Sequence, residues 1–231
     1  MTKFGQKITL VAVGGVVLIG IVVFAFNRTP DQMTQPTEQS EHEIASLRSF
    51  MNIANEASGI QSGAEFNYSL VGYGNPINFS VQRCRDEVRC DVVDPKPVAK
   101  FQQPNQPSPD TAEVDPMTDA VISLHRAVPE FAGGEYPVAE IERIARVFLN
   151  QVYPEFKTIE PTLTFDPGMK GNRLNNGNYF FRWNHEKIEL PDGLTVEVTP
   201  FVQVGITAGG FIFGYDNTIP LYQNSVANLD R

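Results

Sequence analysis

The chain has 231 residues, 18 of them basic and 27 acidic, with a formal net charge of −9. That length is enough to bury a real hydrophobic core in one or two domains. The acidic balance argues against nucleic acid, or an anionic lipid surface, as the main partner.

Residues 8–26 (ITLVAVGGVVLIGIVVFAF) form an uncharged run of 19 in which only Thr9 is polar. At about 1.5 Å per residue the run matches roughly 30 Å of hydrocarbon. It also lacks the polar face that a soluble helix of this length carries. We read it as a single transmembrane anchor. The rival is a cleaved signal peptide, whose apolar region usually spans about 7–15 residues and ends in small ones. This run ends Phe24-Ala25-Phe26-Asn27, so the uncleaved anchor is preferred. Lys3 and Lys7 precede the span, while Arg28 is followed by Asp31, Glu38 and Glu41. Positive charge inside places the N-terminus in the cytoplasm and everything after residue 27 outside it. Without the two lysines the exported part holds 16 basic against 27 acidic residues.

Residues 1–27 are thus the cytoplasmic tip and anchor, and 28–40, polar with two prolines, read as a stalk. Residues 41–93 read as a helix plus hairpin region. Ser40 and Glu43 make a capping-box pattern, and Ile44, Leu47, Met51 and Ala54 recur at helical spacing up to Ser58-Gly59. Strand alternation follows in Phe66, Tyr68 and Leu70, then in Ile77, Phe79 and Val81, with Gly74-Asn75-Pro76 as the turn. A third strand is expected from Cys90 to Val93. Cys84 and Cys90 are the only cysteines and flank a turn-like stretch. A disulfide fits an oxidising compartment; two free buried thiols are the other reading. Zinc is not expected, because no second pair of soft or imidazole ligands lies at workable spacing.

Residues 94–117 carry six prolines (95, 97, 104, 107, 109 and 116) and read as a linker or long surface loop. The acids Asp110, Glu113, Asp115 and Asp119 fit a solvated linker better than a calcium loop. A second structured region spans 118–222, with 223–231 as a tail. Ala120, Val121, Leu124 and Val128 suggest a short helix. The clearest helical period in the chain follows Pro137, where Val138, Ile141, Ala145, Phe148 and Val152 share a face. Tyr153-Pro154 ends it. Strands are predicted at about 157–165, 178–185, 194–206 and 211–216, with Pro200 as a bulge. Helix followed by antiparallel meander thus occurs twice, which leaves a duplication open.

The second region resembles the PepSY-type extracytoplasmic domain. The residues that carry the likeness are Val138 to Ala145 (VAEIERIA) and a closing hairpin, FVQV from Phe201 and GFIFGY from Gly210. It covers about residues 137–222 and departs from the pattern in the long 166–178 loop and in Pro200. The resemblance implies an α+β fold, a helix packed on antiparallel sheet as in cystatin-like domains, and a binding or inhibitory role. It carries over no catalytic residues and no cofactor.

Candidate chemistry is sparse. His42, His125 and His185 lie in three different elements, and no G-x-S-x-G, H-E-x-x-H or nucleophilic cysteine motif is present. Tyr179, Phe181 and Trp183 make an aromatic stripe. The favoured reading is a sheet face covered by the 138–152 helix; the other is a binding surface. The sequence therefore points to a single-pass, non-enzymatic module that engages a protein or peptide at the cell envelope. The alternative is an extracytoplasmic hydrolase with a scattered site.

Overall fold

Two helical patterns in the sequence become two helices that cover one face of a continuous antiparallel sheet. The computed structural model describes residues 38–60, 66–77, 81–86, 89–93, 97–104, 109–128, 134–166, 173–174, 177–185, 195–196 and 200–226. At 38–39, 81–86, 89–93, 173–174, 195–196 and 223–226 the description is of the backbone alone. The expected membrane anchor at 8–26 lies outside this set. Among the described residues, no helix is long and apolar enough to cross a membrane.

Helix α1 spans Glu38–Ala57. It begins inside the expected stalk, so Ser40 is a buried helical residue rather than a cap. Its end follows from Gly59, whose φ of 68° only glycine adopts cheaply. The Ile60 amide donates to the Asn55 carbonyl (2.9 Å) and the Gly59 amide to that of Glu56 (3.0 Å), satisfying groups the helix leaves open. Helix α2 spans Val138–Val152, with Pro137 at its N-cap and Tyr153 at its C-cap. Ile141, Ala145 and Phe148 are buried, as the apolar period predicts; Leu149, outside that period, is buried too, while Val138 is exposed and Val152 only half-buried.

The strands are β1 (Ser69–Gly74), β2 (Val81–Asp86), β3 (Arg89–Val93), β4 (Val98–Gln102), β5 (Thr111–Val114), β6 (Val121–His125), β7 (Thr164–Phe165), β8 (Arg173–Leu174), β9 (Asn178–Asn184), β10 (Thr195–Val196), β11 (Phe201–Thr207) and β12 (Ile212–Asn217). The large sheet runs β1-β4-β5-β6-β12-β11-β9-β7, with β8 also paired to β9. A helix and a four-stranded meander therefore occur twice, as α1 with β1, β4, β5 and β6, then α2 with β7, β9, β11 and β12. The final strands of the two units, β6 and β12, pair antiparallel and join them into one sheet. Residues 36–231 form one compact unit. Strands β2 and β3, inserted in the first meander, and β10, inserted in the second, make a separate three-stranded sheet in the order β10-β2-β3.

Several expectations are corrected. The 94–117 segment is not a linker; β4 and β5 lie within it, between its prolines. A helix near 118–128 is replaced by β6, buried at Val121 to Leu124 on both faces, which erases the period-2 signal. Residues 157–165 form helix α3 (Phe156–Ile159), a 3-10 turn and only then β7. The turn at 74–76 does not close a hairpin, because β1 pairs with β4. Pro200 separates β10 from β11 rather than bulging one long strand. Finally, helix α4 (Ile219–Val226) runs past the expected domain end at 222.

The core lies between the helices and the large sheet. Phe50 of α1, Phe148 of α2 and Tyr215 of β12 meet at ring distances of 5.0 to 5.9 Å.

Candidate functional site

The register of the large sheet sorts its residues into rows. Phe101, Ala112, Leu124, Tyr215, Val204 and Phe181 are successive partners across six strands, and all belong to the helix-covered core. The neighbouring row reads Lys100, Glu113, Ser123, Asp216, Gln203 and Arg182. Side chains alternate across a strand, so this polar row faces away from the helices.

Two carboxylates in that row are nearly fully buried, Glu113 at 2% and Asp216 at 4% exposure. Burying a charge is costly unless it is paired. Lys100 Nζ lies 3.3 Å from Glu113 Oε1, and the Ile77 amide donates to Glu113 Oε2 at 3.1 Å. His125 Nε2 lies 3.2 Å from Asp216 Oδ1. The Asp216 carboxylate raises the imidazole pKa above its ordinary value, outweighing the burial that lowers it. Glu113, one of the four acids expected to be solvated, is therefore structural, while Asp110 and Asp119 are partly exposed. Asp115 is buried too, and accepts from the Met117 amide and the Thr118 hydroxyl, each at 2.9 Å, to shape the β5–β6 turn.

The buried Ser123 hydroxyl makes no hydrogen bond among the described residues, and the His125 nitrogen that a triad would turn toward it faces Asp216 instead. His42 lies on the exposed side of α1, and His185 follows β9. No group of three His, Cys, Asp or Glu placed to hold a metal occurs among the described residues.

The aromatic stripe is core rather than surface. Tyr179, Phe181 and Trp183 are buried, and Phe156 of α3 meets Trp183 edge-on at 5.2 Å. Arg146 of α2 lies over the same indole at 5.0 Å. These three residues are not an exposed binding surface, because helical side chains occupy that face. Cys84 and Cys90 face each other as direct partners in the β2–β3 ladder; their side chains lie outside the described ones.

The open feature is the first edge of the sheet. Among the described residues β4 is the one ladder partner of β1. The strand SLVGYG has neither charge nor proline, two devices that commonly guard an edge. A register shift falls between Leu70 and Gly72, at the exposed Val71, and pairing is regular again from Gly72 to Gly74. Val71 is 65% and Ile77 59% exposed. They border a groove of about 130 Å³ floored by Lys100, Phe101, Thr111 and Ala112. Sequence reading missed this site because its whole floor falls in the proline-rich segment taken for a linker.

No protein-family model matches the chain, and no curated protein matches it. Among solved structures it is similar to the Bacillus megaterium YpeB C-terminal domain, at 10% identity and a TM-score of 0.40. The likeness covers 74% of this chain and 62% of that one, less than two thirds of that domain's length.

Proposed function

We propose that this chain is a membrane-anchored, extracytoplasmic binding module, without catalysis of its own, that takes up an extended peptide segment of an envelope partner. The β1 edge carries the reading. Its backbone groups that have no ladder partner among the described residues suit main-chain pairing with an added strand, and the groove beside Val71 and Ile77 suits apolar side chains of that strand. A PepSY-like ancestry is part of the same reading, supported by the helix-plus-meander unit that occurs twice.

A photo-reactive residue placed at Ser69, which is exposed, tests the binding site in intact membranes. Cross-links should map to one extended segment of one partner, and Val71→Glu, which sets a charge on the edge, should abolish them. Equal labelling from a control position on α2, such as Arg143, would sink the idea. Protease added outside cells stripped of outer layers tests the topology. Residues 28–231 should be digested without lysis; full protection until lysis would overturn the orientation.

A further inference from the structure

The small sheet is built from both halves of the molecule. Strand β2 lies at its centre, paired to β3 on one side and to β10 on the other. Position 84 is the crossing point: Cys84 stands opposite Cys90 in the β2–β3 ladder and opposite Thr195 in the β2–β10 ladder. Strands β2 and β3 are inserted in the first meander and β10 in the second, so this sheet is a strap between the two units outside the large sheet. Among the described residues, β10 pairs with β2 at the Cys84 and Arg83 positions alone.

Directly opposed residues of an antiparallel pair have Cα atoms about 4.5 or 5.5 Å apart, both within the roughly 4.4–6.8 Å that a disulfide bridges. The chain holds no third cysteine to compete. An isolated two-stranded hairpin is marginally stable in water, so the order of β2 depends on what pins it to β3.

We propose that Cys84 and Cys90 form a redox-controlled staple that sets whether the strap between the two units is closed. In the oxidised state the bond fixes β2 in register on β3 and so presents a formed edge to β10. The bond forms by exchange with an external disulfide. The two thiols lose two protons and two electrons, the sulfur–sulfur bond forms, and the donor disulfide is reduced to two thiols. Reduction reverses the step and lets β2 fray, freeing the segment around Thr195 and Val196. The inference does not depend on the proposed peptide site, and its test uses neither a partner nor a membrane topology.

The experiment is amide hydrogen exchange on the full chain purified in detergent, after oxidised glutathione and again after dithiothreitol, with non-reducing peptide mapping of each sample. The oxidised sample should yield one linked species containing both cysteines. Reduction should speed exchange at residues 195–196 by about tenfold or more, the scale of a short-loop disulfide. Exchange across β11 (201–207) should stay unchanged, which reports that the large sheet remains folded. Cys84→Ser and Cys90→Ser should each reproduce the reduced pattern under oxidising conditions. Absence of the linked species overturns the proposal, as does exchange at 195–196 that ignores the redox state. Loss of protection across β11 as well would show the bond to be a global stabiliser and would also overturn it.

Discussion

Phe148 has no exposed surface and meets Phe50 and Tyr215 edge-on, at 5.5 and 5.9 Å between ring centres. Its truncation to alanine leaves a cavity between α1, α2 and β12, and should cost about 3–5 kcal/mol in chemical denaturation. On the same helix, Glu142 lies off the buried face and bridges Arg146 at 2.8 Å, while Arg146 also pairs with Glu160. Glu142→Ala should cost no more than about 1 kcal/mol, as for other partly exposed pairs. Equal costs for the two changes would mean the helix face is misassigned. At the seam between the units, Asp216 and, more weakly, Glu113 hold the His125 pKa above its ordinary value. A raised folded-state pKa adds stability that is complete below the unfolded value of about 6.5 and fades as pH rises through the folded one. The gap in melting temperature between the wild type and His125→Gln should therefore be wider at pH 5.5 than at pH 8. A constant gap would show that the pair contributes through packing alone.

At the scale of elements, local patterns reveal what local forces determine. Helix α2 is legible to the residue because Pro137 sets its start and its apolar face recurs every three to four positions. Strand β9 is legible through plain alternation, buried at Tyr179, Phe181 and Trp183 and half-buried between them. Strands β4 and β5 are not, since five- and four-residue segments framed by prolines carry little signal of their own and are defined by their partners. The groove and the Glu113 pairing are hidden for the same reason, lying on strands no local pattern reveals. The end of α1 is a local matter again. Added bulk at Gly59 would meet open space, so Gly59→Ala isolates the backbone cost of φ 68°. A loss of about 1–2 kcal/mol is expected from urea unfolding. A neutral result would mean that the helix ends for some other reason.

For the whole molecule, the question is whether two units with the same order of elements are two folding units. The sequence places a boundary across 94–117, yet those residues supply two strands of the first meander. The shared core crosses the seam instead, with Phe50 from the first unit against Phe148 and Tyr215 from the second. The seam strands β6 and β12 pair through three positions, a ladder too short to hold two independent domains rigidly without that core. One cooperative transition is therefore expected. Trp183, the only tryptophan, is buried in the second unit and reports on it by fluorescence. Phe50→Ala, made in the first unit, should lower the Trp183 midpoint and the far-ultraviolet circular dichroism midpoint together, by an amount matching about 3–5 kcal/mol. If the tryptophan transition stays in place while the dichroism shifts or splits, the units unfold separately and the continuous sheet is not one cooperative body.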